Sequence, residues 1–291
     1  MNGTTTRILM TAALCALLAG LTPRPAAAQL QMGGPAQPPA PGRAGAPIDL
    51  EGNWVSVVTE DWIYRMLTPA PGDYMSVPLN PAAAAIADRW DLQADNAAGA
   101  QCKAFGAAAL MRLPTRLQIR WEDDFTLRVD ADSGTQSRRL HFSNEGHRTL
   151  VAMLMDGARE EPSWQGYSVA AWESPLTPRG TMQRLNQRRE EPKPAPGGVL
   201  KVVTTRMRPG YLRANGIPYS DEAVLTEYFN RFNTPDGQEW FVVTAIVEDP
   251  MYLTQPYVTS SHFRKERDAS KWDPTPCATP APPAGSKAPL F

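Results

Sequence analysis

The chain has 291 residues, and its 29 basic and 30 acidic side chains give a formal net charge of −1. Proteins that bind nucleic acid through an electrostatic surface carry a basic excess, so we expect no nucleic-acid partner. The 29 prolines amount to about twice the average share of roughly 5%. Either much of the chain is unfolded or the prolines are clustered.

The first 28 residues are typical of a cleavable secretory signal peptide. One early charge, Arg7, precedes an uncharged apolar run over residues 8–21, and Pro23 and three alanines at 26–28 follow it. The apolar run is shorter than the ~20 residues of a membrane-spanning helix. We therefore expect cleavage near Ala28, a periplasmic or secreted location and no stable membrane anchor.

Removal of this segment leaves 27 basic and 30 acidic residues, a net charge of −3, and two cysteines, Cys102 and Cys277. In an oxidising exported compartment an isolated pair of cysteines is more often bonded than free. We expect a disulfide that ties the C-terminal tail to a loop near residue 100. The alternative is two separate thiols.

The prolines divide the chain into segments. Seven lie in residues 23–47, three in 192–196 and six in 274–289. These stretches lack apolar periodicity. They predict a disordered leader over 29–48, a surface loop around 192–196 and a proline-rich tail over 274–291. The remaining 225 residues, 49–273, are enough for one β-barrel domain.

Alternation with a period of two dominates this body, in short runs rich in Val, Thr, Tyr, Phe and Trp. Ten strands are predicted, at residues 53–60, 116–122, 126–131, 138–143, 149–155, 166–173, 200–207, 224–232, 239–248 and 257–265. Short turns rich in Gly, Asp and Asn join most of them. The pattern predicts an all-β fold, an antiparallel lipocalin-like barrel of about ten strands.

One or two short helices interrupt this pattern. Asn80 is a suitable N-cap and Pro81 fits a first helical turn, so we predict a helix that continues over residues 82–90. Residues 97–111 are rich in small side chains and form either a second short helix or a packed loop.

Two sets of residues carry a resemblance to known families. Gly52 and Trp54 lie at the entrance of the first strand and Arg264 lies in the last. This resembles the lipocalin and calycin pattern, in which an early Trp closes the barrel end and a late Arg packs over it. Residues 164–173, 200–205, 213–220 and 248–256 resemble a family of exported, mostly uncharacterised bacterial proteins. The resemblance implies a secreted β-barrel and brings no activity.

Familiar catalytic and cofactor motifs are missing. The chain has no Gly-x-Ser-x-Gly elbow, His-Glu-x-x-His, phosphate-binding loop or Gly-x-Gly-x-x-Gly, and no closely spaced His or Cys ligands. We therefore expect no metal and no other cofactor. A Ser-His-Asp hydrolase stays open, because such triads are defined in space.

Strand parity places charged residues on apolar faces. Five such residues are Arg206 beside Val202 and Thr204, Glu227 beside Leu225 and Phe229, Glu248 beside Val242 and Ile246, and His262 and Arg264 beside Val258. If these faces point inward, the charges meet in a low-dielectric interior, where an unpaired charge costs several kcal/mol.

Three interpretations of these charges remain open. In the first the faces are exposed to solvent, or Arg206 and Glu227 form a structural ion pair. In the second the charges anchor a ligand in a cavity. Its aromatic walls are Tyr64, Trp121, Tyr228 and Trp240.

The third interpretation is catalytic, with Glu227 and His262 as acid and base and Arg206 stabilising a developing anion. His262 is preferred because His141 and His147 flank a turn at Asn144 and are expected to be exposed.

The segment after the first strand adds Glu60, Asp61, Tyr64 and Arg65. Paired carboxylates beside aromatic rings suit contact with a carbohydrate or polyol. The alternative is a loop packed over the barrel mouth, with Arg65 neutralising one carboxylate. Tyr211 marks a second cationic and aromatic rim.

We therefore expect an exported lipocalin-like barrel that binds a small, partly apolar or aromatic molecule. The alternative is a metal-independent lyase, isomerase or hydrolase that acts on a small organic or sugar-derived substrate, and an envelope scaffold is a third class. Both of the first two classes depend on Arg206, Glu227 and His262 meeting in one pocket. Glu227→Gln separates them, because it should weaken a binder modestly and abolish turnover in an enzyme.

Overall fold

The computed structural model describes residues 42–144, 149–173 and 197–288. The predicted signal peptide, most of the leader, the prolines at 192–196 and the last three residues lie outside the described residues. Residues 42–48 of the predicted leader pack on the barrel. Arg43 N donates to Asp124 O at 2.9 Å, and Trp172 Nε1 donates to Gly42 O at 2.8 Å.

Nine strands form a closed barrel. They are β1 (Gly52–Val57), β2 (Arg116–Asp123), β3 (Thr126–Ala131), β4 (Gln136–Phe142), β5 (Tyr167–Glu173), β6 (Val199–Thr205), β9 (Val224–Asn233), β10 (Glu239–Glu248) and β11 (Tyr257–Glu266). Around the ring the order is β1-β11-β10-β9-β6-β5-β4-β3-β2, so β1 lies between β2 and β11. The chain is thus mostly β and forms a barrel, as predicted.

Two short strands between β6 and β9 were not predicted. β7 (Gly210–Arg213) and β8 (Ile217–Tyr219) form a separate two-stranded sheet. They have four and three residues, too few for an alternating pattern to be recognised.

The barrel is mixed, which corrects the antiparallel prediction. β4 and β5 run parallel, with Leu140 opposite Ser168 and Phe142 opposite Ala170. The other barrel pairs between described strands are antiparallel.

The parallel pair arises because residues 149–155, predicted as a strand, belong to a helix over Leu150–Gly157. Thr149 Oγ1 caps this helix by accepting a hydrogen bond from Ala152 N at 3.2 Å. Its buried residues, Met153 and Gly157, are four apart, which is a helical spacing. A helix between two strands supplies the crossover that a parallel pair needs.

The described chain has five short α-helices, more than the one or two predicted. They are α1 (Trp62–Met66), α2 (Pro81–Asp88), α3 (Leu92–Ala97), α4 (Ala107–Leu110) and α5 (Leu150–Gly157). α2 is the predicted helix, and Asn80 Oδ1 caps it by accepting from Ala83 N at 2.9 Å. Residues 97–111 contain a 3-10 turn, Gln101–Phe105, and then α4. None of the helices in the described part is long and apolar enough to cross a membrane.

The two ends of the barrel differ. At the rim end, where β1 begins and β11 ends, the core is aromatic: Trp54 and Phe263 lie 4.7 and 4.8 Å from Phe241, between ring centroids. At the covered end a second apolar cluster joins β9, β10 and β11 to α2, α4 and the β7–β8 sheet. Side chains of these clusters occupy much of the interior that we expected to hold a ligand.

The expected disulfide between Cys102 and Cys277 is formed, with Cα atoms 5.1 Å apart. The tail around it is held in place, because Thr275 N donates to Asp132 O at 2.9 Å and Thr135 Oγ1 donates to Thr275 O at 2.8 Å. The first residues of the predicted tail are therefore part of the folded body.

Candidate functional site

A buried ion pair crosses the barrel interior. Glu227 points inward, and its partner is Arg138 of β4, not Arg206. Nη1 and Nη2 of Arg138 donate to Oε1 and Oε2 of Glu227 at 3.1 and 2.6 Å, and Nη2 also donates to Thr204 Oγ1 at 3.2 Å. Both charged side chains are fully buried. Because the two hydrogen bonds satisfy both carboxylate oxygens and solvent reaches neither side chain, we interpret the contact as a structural ion pair.

Arg206 lies outside the barrel. β6 ends at Thr205, and Arg206 has a left-handed backbone with φ 59°. Because this conformation ends the alternation of the strand, the side chain leaves the inward face, and its Nε donates to Glu160 O at 3.0 Å. Strand alternation could have identified Arg138 as the inward-facing partner of Glu227, since it shares its strand face with Leu140 and Phe142.

On β10 and β11 the faces that carry Glu248 and His262 point outward, as in the first of the three interpretations. Phe241 and Val247 are buried on β10, and Phe263 is buried on β11. By alternation Glu248 and His262 then lie on the outer wall. Parity was ambiguous because both faces of these strands carry apolar residues. Glu227, His262 and Arg206 are consequently not brought together.

The predicted aromatic walls are dispersed. Trp121 points inward at the rim end and its ring lies 5.2 Å from Phe142. Tyr228 and Trp240 lie on the outer wall, where Lys201 Nζ is 5.5 Å from the Tyr228 ring and Arg264 Cζ is 5.9 Å from the Trp240 ring. They do not share a cavity.

Tyr211 is part of a surface network. Its hydroxyl donates to Asp95 Oδ2 at 2.8 Å, and Lys103 Nζ lies 3.3 Å from it. Burial, with the Asp95 contact, raises the pKa of Tyr211. The phenol therefore stays neutral at physiological pH.

Five predicted or neighbouring residues do come together at the covered end. We call Glu60, Asp61, Arg65, Arg112 and His262 the α1 cluster. The buried Arg65 donates to Glu60 through Nη1 and to Arg112 O through Nε at 2.8 Å. Arg112 Nη2 donates to Asp61 Oδ2 at 3.1 Å. His262 Nδ1 lies 3.2 Å from Glu60 Oε2.

This arrangement matches the predicted alternative in which Arg65 neutralises a carboxylate in a loop over the barrel mouth. Helix α1 turns its polar residues inward, and its large apolar residues are exposed: Trp62, Ile63 and Met66, followed by Leu67. His262 and Glu60 keep one third of their side-chain surface exposed, so this pair is accessible to a small molecule.

The rim end has a surface cavity of about 670 Å³, which we call the rim cavity. It is lined by Gly237, Gln238, Glu239, Arg264, Lys265, Glu266, Arg267, Asp268, Ser270 and Lys271. Lys265 forms its inner wall, because its Nζ lies 5.5 Å from the ring of the buried Trp54. Local sequence pattern does not predict this cavity, because its lining combines the β9–β10 hairpin with the end of β11 and the residues after it.

Charge in the rim cavity is unevenly compensated. Arg231 Nη2 and Lys265 Nζ both donate to Glu239 Oε2, and these contacts lower the pKa of Glu239. Arg116 Nε donates to Glu266 at 3.1 Å. None of the ion pairs among the described residues includes the other three lining cations, which are Arg264, Arg267 and Lys271.

A second cavity, of about 340 Å³, lies beside α5 and includes His141. His141 is not exposed as expected: its ring stacks on Tyr167 at 5.1 Å, and burial, with Arg139 nearby, lowers its pKa. His147 lies outside the described residues. Within ranges 42–144, 149–173 and 197–288 no group of three or more His, Cys, Asp or Glu is placed to hold a metal ion.

The comparison with protein-family models gave no match, and neither did those with curated proteins and with solved structures.

Proposed function

We propose that the protein is an exported, lipocalin-like barrel that binds a small anionic molecule with an apolar or aromatic part in the rim cavity. The observation that carries the proposal is the cavity itself, with three lining cations that form no ion pair in the described chain; the lining carboxylate of Asp268 interacts with Lys271 at longer range. Its volume falls within the ~300–1,000 Å³ of small-molecule sites. Guanidinium groups bind carboxylates and phosphates through two parallel hydrogen bonds.

The aromatic part of such a ligand has a surface to contact. Phe232 and Trp240 are opposite each other on β9 and β10, and Arg264 follows on β11. Phe232 is 42% exposed, and Arg264 lies over the Trp240 ring. Neither ring lines the rim cavity itself, so a planar anionic molecule that binds Arg264 through its charge contacts the exposed Phe232 ring by extending out of the cavity.

Support for the lipocalin-like class comes from Trp54, which is fully buried at the rim end and donates through Nε1 to Leu50 O at 2.9 Å. The residue over its ring is Lys265, whereas the resemblance implied Arg264. The parallel β4–β5 pair is a second departure from the antiparallel pattern. Support for export comes from the Cys102–Cys277 disulfide, because such bonds persist in oxidising compartments.

Calorimetric titration with aromatic carboxylates, such as benzoate and 2-naphthoate, tests this proposal. Arg264→Gln combined with Lys271→Gln should weaken binding by tenfold or more, since each lost charged hydrogen bond is worth about 1.5–3 kcal/mol. The matched control, Arg89→Gln with Arg159→Gln, removes the same charge from exposed positions elsewhere and should leave affinity unchanged.

Equal losses in the two double variants would show a general charge effect and reject the site. Native mass spectrometry of the exported protein then identifies any molecule that co-purifies. A neutral apolar ligand that binds both double variants equally would also contradict the proposal.

A second candidate function is acid–base catalysis at the α1 cluster, favoured by the 3.2 Å contact between His262 Nδ1 and Glu60 Oε2. A carboxylate that orients an exposed imidazole is the arrangement of many general bases. If a panel of 4-nitrophenyl esters and glycosides reveals turnover, His262→Gln should lower kcat by about 100-fold or more. His141→Gln is the control, and an equal loss there would exclude this role.

A further inference from the structure

Arg213, the last residue of β7, is a buried guanidinium without an acceptor. The residue is 3% exposed, and its Nε, Nη1 and Nη2 have no hydrogen-bond partner in the described chain. The described chain buries three other arginines, and each of them contacts a carboxylate: Arg65, Arg112 and Arg138. Arg213 is therefore an exception among side chains of the same type and burial.

The surroundings of Arg213 are aromatic and polar. Its Cζ lies 4.2 Å from the centroid of the Tyr64 ring. Asn215, two residues further on, donates through Nδ2 to the carbonyls of Ala70 and Asp73, each at 2.9 Å. The segment that follows α1 is thus tied to the β7–β8 hairpin. The Tyr64 ring covers the guanidinium.

Nearby carboxylates are engaged elsewhere. Asp61 accepts from Arg112 at 3.1 Å, and Glu60 accepts from Arg65. Asp73 Oδ1 lies 3.4 Å from the amide of Met75, its hydrogen-bond donor. A contact with an aromatic face compensates part of a buried positive charge, yet it supplies no acceptor for the guanidinium N–H groups.

We propose that Arg213 and Tyr64 form a binding site for a small anion, a carboxylate or phosphate group held by the guanidinium fork. Tyr64 is only partly buried whereas Arg213 is sealed, so the anion enters when the Tyr64 ring moves aside. This site lies at the covered end and is separate from the rim cavity.

The test is the melting temperature of the full mature protein in increasing acetate, phosphate or chloride. Ionic strength is held constant with a bulky sulfonate buffer. An anion that binds only the folded state at about five times its Kd raises Tm by roughly 2–4 °C in a protein of this size. Arg213→Met should abolish this response when it is measured in the Arg264→Gln, Lys271→Gln background, in which the rim cavity no longer binds anions. Comparison of the Tm increase in acetate with that in phosphate shows whether the site prefers a carboxylate or a phosphate group.

Two controls separate the site from general effects. Arg208→Met removes an exposed arginine that also lies on an aromatic ring, 4.8 Å from that of Trp164, and should keep the full response. Arg264→Gln with Lys271→Gln removes the affinity of the rim cavity for anions, and the response that remains in this double variant belongs to the Arg213 site, so failure of the rim cavity and failure of this site are distinguishable. If Arg213→Met does not fold, Arg213→Lys should weaken anion binding in calorimetry at least tenfold, because the bidentate fork is lost.

The variant Asp73→Asn tests whether the acceptor for the Arg213 guanidinium is the carboxylate of Asp73 or an anion from solution. We expect this variant to keep both the Tm and the anion response of the unchanged protein. A fall in Tm equal to that of Arg213→Met in anion-free buffer would identify Asp73 as the partner and overturn the proposal. A Tm that is the same in acetate, phosphate, chloride and the sulfonate buffer would overturn it too.

Discussion

Arg138 and Arg213 are both buried arginines, and they differ in whether the guanidinium has a hydrogen-bond acceptor. Arg138 forms two hydrogen bonds with Glu227, whereas Arg213 has an aromatic ring and no acceptor in the described chain. The desolvation cost of a guanidinium is similar in both places, so the first is compensated within the chain. The second requires a group from outside.

The Arg138–Glu227 pair gives a direct test at the residue scale. Arg138→Met leaves a buried carboxylate unpaired, and we expect a loss of about 3–5 kcal/mol in the free energy of unfolding. Urea denaturation measures it. The control is Arg139→Met, on the next residue, whose side chain is 54% exposed and pairs with Glu122. It should cost less than about 1 kcal/mol.

Replacing both members of the pair should recover part of the loss. Arg138→Met with Glu227→Leu removes both charges, and the double variant should be more stable than Arg138→Met alone. Similar losses for Arg138→Met and Arg139→Met would show that the interior pair does not act as an ion pair.

Side-chain direction is where sequence reasoning reached its limit at this scale. Alternation placed Glu227 inward, and the same argument applied to residues 138–142 finds Arg138. It failed for His262 because β11 has apolar side chains on both faces, with Val258 57% exposed. It also failed for Arg206, because a positive φ is a property of the turn and not of the residue type.

At the scale of elements, α5 has the largest effect on the architecture. Its sequence reads as a strand when only apolar content is considered. The four-residue spacing of its buried residues and the cap at Thr149 indicate a helix. Because that helix connects β4 to β5, one error in element type changed the direction of a strand pair. Strands such as β3 and β10 were predicted with their observed bounds.

The disulfide that joins the tail to the 3-10 turn at Gln101–Phe105 gives a prediction at the same scale. Its two cysteines are 175 residues apart in sequence. Constraining so long a loop in the unfolded state is worth up to about 5 kcal/mol in the chain-entropy account. Cys102→Ser with Cys277→Ser should lower the free energy of unfolding by a few kcal/mol, measured in urea.

Reduction of the unchanged protein provides the control for this prediction. Dithiothreitol should lower its stability to that of the double variant and leave the double variant unaffected. The hydrogen bonds of Thr275 to Asp132 and Thr135 do not depend on the disulfide, so we expect the tail to stay docked in the native state. Identical unfolding curves with and without reductant would contradict a stabilising role.

Across the whole molecule, the barrel and its two ends were predicted to different degrees. Period-two alternation and the turn residues between runs were sufficient for a β-barrel. Neither the rim cavity nor the Arg213 site follows from local pattern, because each combines residues distant in sequence, such as Gly237 with Lys271 and Tyr64 with Arg213. The net charge of the whole chain, which is near zero, likewise does not indicate that cations outnumber carboxylates in the lining of the rim cavity.

The pairing of β1 with both β2 and β11 has a consequence for biogenesis. β1 ends at Val57 and β11 ends at Glu266, so the ring cannot close until nearly the whole barrel sequence is present. A chain that emerges N-terminus first holds β1 paired on one side only until then. Closure is therefore a late event in folding, and a truncation before Tyr257 leaves two unpaired strand edges open to intermolecular association.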